Sequence, residues 1–230
     1  MIKTNEKLAG KWTARKLGPA LLGVLAAANI GAAMAGVVNG NDKRDRVSFD
    51  LQLNPATVEC VRGSYNEEPR ARATVIRGKL NDTLILDLDG FKSGLQFDLF
   101  TVQNSPFLFN GAKDPAFTGS FGLAWYQSDI EIPKHSDRGH VQISTILLDQ
   151  IFGFDPDVKL APTNTFHVGF WFNNPEDAAP CGFNPAKPTP FNGEHKAGPF
   201  AMISLPAHDS HLGPLCTDPN LSTKPVSCDP

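Results

Sequence analysis

Residues Thr83–Phe100 read TLILDLDGFKSGLQFDLF, and this stretch decides the fold class. Leu84, Leu86 and Leu88 share one face of an extended chain, with Thr83, Asp87 and Asp89 on the other. After the turn Gly90–Gly94 the alternation resumes: Leu95, Phe97 and Leu99 face in, Gln96 and Asp98 face out. A period of two is what a strand with one buried face requires, because successive side chains point to opposite sides of the pleat. The simplest reading of Thr83–Val102 is a two-strand meander.

The pattern extends in both directions. Phe49, Leu51 and Leu53 alternate with Ser48, Asp50 and Gln52, and Pro55 ends that strand. Ala71, Ala73 and Val75 alternate with Arg72, Thr74 and Ile76. Further strands are predicted over Gly119–Tyr126, Gly139–Thr145, Thr165–Phe172 and Pro199–Leu205. In Thr165–Phe172, Phe166, Val168, Phe170 and Phe172 line one side and His167, Gly169 and Trp171 the other. Aromatic residues on both sides predict a central strand. Ile146–Phe152 departs from the pattern: Leu147 and Ile151, and Leu148 and Phe152, stand four apart, and Gly153 follows as a stop, which predicts a short helix. Ala178–Pro199 carries Pro180, Pro185, Pro188, Pro190 and Pro199, with Phe183 and Phe191 available to pack the loop down. The expected fold is all-β, an antiparallel Greek-key or immunoglobulin-like β-sandwich with one short helix and long Pro/Gly-rich loops.

The N-terminal residues bear on compartment. Lys3, Lys7, Lys11, Arg15 and Lys16 form a basic head, an uncharged run follows from Leu17 to Ala35, and Ala33-Met34-Ala35 supplies a small-residue processing site. That is the layout of a secretory signal peptide cleaved between Ala35 and Gly36. The expected organisation is a signal peptide over 1–35, a polar leader over 36–46, a sandwich domain over 47–210 and a Pro-rich tail over 211–230 held by disulfides. The remainder after Ala35 has 16 basic and 23 acidic residues, a net charge of −7. A nucleic-acid partner needs a positive face, so none is expected, and no membrane span is expected once the signal is removed. The expected location is extracellular or periplasmic.

Cys60, Cys181, Cys216 and Cys228 all follow the signal. An even count in an oxidising compartment favours two disulfides. Of the three possible pairings the preferred one is Cys181–Cys216 with Cys60–Cys228, which would close the Pro-rich stretch and join the chain's ends.

The order of these pieces resembles the chordin-type (CHRD) domain, a sandwich related in fold to copper/zinc superoxide dismutase. Thr83–Phe100 looks like the family's strand, Gly-containing turn and strand. Ile146–Gly153 looks like its short helix, and Thr165–Asp177 with Asn192–Gly198 (NGEHKAG) looks like its closing strand and Gly-Glu turn. Ala178–Phe191 interrupts that closing motif. The dismutase comparison implies copper-binding histidines on the strand after the Gly turn, yet Leu95–Phe100 has none and the first histidine of the chain is His135. Copper dismutase activity is therefore not expected.

Six histidines supply the candidate chemistry. His208 and His211 flank Asp209, and His167 could meet Glu194 and His195 if the closing strand and its turn come together; imidazole with carboxylate suits zinc or copper. A solvated loop and a hydrogen-bonded structural histidine are the favoured alternatives. His135, Asp137 and His140 lie in a polar hairpin loop. Nucleophile elbows, phosphate loops and H-E-x-x-H are absent from the sequence, so no catalytic residue is assigned. Asp87, Asp89 and Asp98 are expected on the wet face of a hairpin rather than as a glycosidase pair. Trp171, opposite the Phe row, is the aromatic residue most suited to stack on a ligand.

Three functions follow, in order. The first is a secreted non-enzymatic binding or structural module, with a surface, matrix or carbohydrate partner and no cofactor. The second is a secreted protein binding zinc, copper or calcium. The third is a hydrolase acting on polysaccharide.

Overall fold

A computed structural model describes residues 46–64, 67–79, 81–136, 138–148, 163–191 and 195–228. The expected signal peptide, its cleavage point and residues 36–45 of the leader lie outside this set.

The fold is an all-β antiparallel sandwich. Eight strands form its framework: β1 (Arg46–Leu53), β2 (Arg70–Ile76), β3 (Asn81–Asp89), β4 (Gln96–Val102), β5 (Ala124–Glu131), β6 (Val141–Leu148), β7 (His167–Phe172) and β10 (Phe200–Ser204). Two small hairpins accompany them, β8 (Thr189–Phe191) with β9 (His195–Ala197), and β11 (Pro219–Asn220) with β12 (Ser227–Cys228). The eight strands run in the order β5-β4-β7-β10-β1-β2-β3-β6. The two ends of this sheet approach each other, where the Thr145 hydroxyl of β6 donates to the Gln127 carbonyl of β5 at 3.2 Å, so the sheet nearly closes.

Alternation places the core as the sequence implies. Leu84, Leu86 and Leu88 of β3, Ala73 and Val75 of β2, and Phe97 and Leu99 of β4 are fully buried. Phe97 packs against Phe170 and Phe172 with ring centroids 5.1 Å apart in both cases, and Phe91 joins at 5.7 Å from Phe97. Burying each such side chain contributes about 1.5–3 kcal/mol. All six residues of β7 are buried, as expected of a central strand, and it lies between β4 and β10.

β3 and β4 do not form a meander. β3 pairs with β2 and β6, and β4 with β5 and β7, so the chain crosses from one layer to the other through Gly90–Gly94. Asp98 lies on the face of β4 opposite Phe97 and Leu99, yet it is only 3% exposed and accepts a hydrogen bond from the Asn173 amide at 2.9 Å. That outer face carries a third layer, where the segment after β4 folds back over β4, β7 and β10. There Phe100, Phe107, Trp171, Ala197 and Ile203 make a second buried cluster. Trp171 is fully buried between Phe100 and Phe121, at 5.6 and 5.0 Å, and is unavailable for stacking on a ligand.

The helix expected at Ile146–Phe152 is overturned in its first turn, because β6 runs through Leu148; residues 149–152 lie outside the described set. Register with β3, from Val141 opposite Leu88 to Leu148 opposite Asn81, prevails over the i,i+4 pattern. Helix appears instead as α1 (Val58–Val61) and a 3₁₀ helix at Pro175–Cys181 within the Pro-rich stretch. The strand expected at Gly119–Tyr126 begins only at Ala124, since Gly119 and Gly122 adopt positive φ.

The disulfide pairing is also corrected. Cys60 pairs with Cys181 and Cys216 with Cys228. α1 sits against the 3₁₀ helix, which brings Cys60 to Cys181 with Cα atoms 6.0 Å apart. The tail folds back on itself through β11 and β12, so Cys228 returns opposite Pro219 and closes onto Cys216. Two disulfides fit an extracellular or otherwise oxidising compartment. No helix among the described residues is long and apolar enough to cross a membrane.

Candidate functional site

β1 changes partner in mid-strand. Arg46–Asp50 pair with β2, and Leu51–Leu53 pair with β10. The separation of β2 from β10 at this point opens a groove of about 900 Å³. Its floor is apolar, with Leu53, Ala71, Leu88 and Met202. The Asn54 N–H bonds the Ala201 carbonyl at 2.9 Å, so strand alternation turns the main chain of Leu53 the other way, toward the groove, where its carbonyl accepts from the Gln52 amide at 3.2 Å.

The groove wall is a ladder of opposite charges. Asp50 on β1 receives both Nε and NH2 of Arg72 on β2, at 2.8 and 3.0 Å. Arg70 on β2 approaches Asp89 on β3 at 3.6 Å, and Arg138 reaches the same carboxylate at 3.7 Å. Asp87 accepts from the Gln142 amide at 2.5 Å. These groups are largely exposed, and exposed pairs contribute at most about 1 kcal/mol each. Their ordered display, acid–base–acid across three strands, suits recognition better than stability. Glu68 and the three aspartates bring several carboxylates to one trough, but each aspartate is engaged by a cationic or amide partner.

A second, smaller cavity of about 250 Å³ lies under the third layer, between the loop after β4 and the loop after β10. His167 of β7 and His211 both line it. His167 is 2% exposed, and its Nδ1 lies 3.1 Å from the Ser204 carbonyl and 3.2 Å from the Ser204 hydroxyl. A carbonyl only accepts, so Nδ1 carries the proton and Nε2 is the lone-pair nitrogen. Burial lowers this imidazole from its ordinary value of 6.5 to about 4, opposed by the bond to Ser204.

That shift has a stability consequence. The unfolded chain protonates His167 near 6.5, whereas the folded chain resists until about 4. The folded state therefore keeps its full advantage above pH 6.5 and loses about 3 kcal/mol of it as pH falls through that window. Denaturant melts of the native protein and His167→Gln between about pH 4 and about pH 7 check this. The stability gap between the two is expected to narrow as pH falls; a gap independent of pH would contradict it.

The structure re-sorts the candidate metal ligands. His208 is exposed, bonds Asp209 through Nδ1 at 2.5 Å and stands edge-on to Phe109 with ring centres 4.4 Å apart. His211 turns away to the cavity of His167, with φ of 58°. His195 lies in β9 opposite Phe191, and Glu194 lies outside the described residues. Among the described residues no three His, Cys, Asp or Glu side chains group to hold a metal ion. The groove residues Asp50, Arg70, Arg72 and Arg138 were not singled out by sequence. The outward alternation of Asp50 and Arg72 was visible, but only the register of the strands sets the charges side by side.

No protein-family model, curated protein or solved structure matches the chain.

Proposed function

We propose that this protein is a secreted, non-enzymatic binding module that takes an extended segment of a surface or matrix component into the groove where β1 leaves β2. The observation that carries the reading is the groove itself, with its apolar floor, its inward-turned main chain at Leu53 and its alternating charges. An extended chain brings main-chain donors and acceptors for such an edge, and charged side chains to match the ladder. Export is supported by the basic head and small-residue site of the first 35 residues and by the two disulfides. The resemblance to the CHRD domain supports a sandwich fold more than any activity.

Panning a displayed random-peptide library against the exported protein, whose first residue is expected to be Gly36, tests the reading. Peptides with alternating charge are expected to be enriched and to lose at least about tenfold in affinity on Arg72→Asp, since like charges then face each other across β1 and β2. Absence of enrichment, or enrichment indifferent to Arg72→Asp, would overturn it.

A further inference from the structure

The cavity beneath the third layer is built to accept hydrogen bonds. His167 offers Nε2, whose lone pair has no protein partner among the described residues, while Nδ1 is fixed by Ser204. Asp114 uses one carboxylate oxygen on the Ala116 N–H at 2.8 Å, and Asn104 uses its amide nitrogen on the Ser120 carbonyl at 3.1 Å; the second oxygen of Asp114 and the amide oxygen of Asn104 have no further hydrogen bond among the described residues. The Ser105 and Ser120 hydroxyls each accept a main-chain N–H at 3.3 Å and keep their protons to donate. Phe107 and Phe117 add aromatic rings to the same lining.

Carboxylate, amide and imidazole acceptors with hydroxyl donors and aromatic rings are the complement of a molecule bearing several hydroxyls around an apolar ring. A simple cation would want more converging carboxylates than this cavity brings, and an anion would meet Asp114. The geometry points to a second ligand site here, for one neutral pyranose unit whose hydroxyls donate to His167 Nε2 and Asp114. This site stands on the opposite layer from the charged groove and does not depend on it.

The test uses the full chain with its disulfides intact and a panel of methyl pyranosides of glucose, galactose and mannose. Nitrogen-15 NMR reads the His167 ring and calorimetry reads affinity. At least one glycoside is expected to bind with a Kd in about the millimolar range and to shift the His167 Nε2 resonance. Asp114→Asn keeps the oxygen that caps Ala116, so it is expected to fold, and to weaken binding about tenfold. Arg72→Asp in the groove is expected to leave glycoside binding unchanged. The inference is overturned if no glycoside moves His167 at about 50 mM, some fifty times a millimolar Kd. It is equally overturned if only zinc or a small alkylammonium does so, or if Nε2 proves to carry the proton in the free protein.

Discussion

Replacing Cys60 and Cys181 together by alanine is expected to cost about 5 kcal/mol. The bond spans 121 residues, and closing a loop of that length removes the most freedom from the unfolded chain. It also ties α1 to the 3₁₀ helix at one end of the core, where Cys60 and Val61 are buried. Replacing Cys216 and Cys228 should cost less, about 3 kcal/mol, because that bond spans 12 residues and closes only the tail hairpin. Guanidinium melts of the two double variants check the order; a larger loss from the short loop would contradict it.

Arg77→Ala is expected to cost about 4 kcal/mol, within the range for breaking a buried ion pair. Asp82 is 1% exposed and bonds Arg77 NH1 at 2.6 Å. Its other oxygen accepts from the Gly78 N–H at 3.0 Å, which holds the turn between β2 and β3. Losing the guanidinium leaves a charge in the interior with one neutral donor. The same guanidinium reaches the Leu215 carbonyl at 3.0 Å and the Thr217 hydroxyl at 3.3 Å, so the substitution should also loosen the tail. Denaturant melts read the first effect and amide exchange at Leu215–Thr217 the second. A loss under about 1 kcal/mol, the value of an exposed pair, would contradict the account.

The fold class was legible because alternation is local. Leu84, Leu86, Leu88 and Phe97 face the core as their spacing predicts, and β7 is central as its two apolar faces predict. Pairing was not legible, because period two fixes a strand's faces and not its neighbour. The Gly90–Gly94 turn reads like a hairpin and instead carries the chain between layers. Trp171 looks outward-facing until the loop after β4 folds over it, and Asp98 until the Asn173 amide bonds its carboxylate. Ile146 and Leu147 fit a helix or a strand equally, and the long register with β3 decides. Cysteine pairing depends on where α1 and the 3₁₀ helix meet, and neither helix announces itself in the periodicity.

The candidate sites were less legible still. His167 and His211 were both visible as possible ligands, but in different pairs, and the cavity that joins them is closed by Gln103–Ser120, a segment with no strand pattern to read. The groove exists because β1 divides its pairing between β2 and β10, a feature of topology rather than of any residue.

The most direct measurement of the central claim is amide exchange on the protein with and without a groove-enriched peptide. Slowed exchange confined to Leu51–Leu53 and Arg70–Arg72, the residues flanking the split, is the expected result. Protection on the β5 and β6 edges instead, or none on addition of a binding peptide, would contradict it.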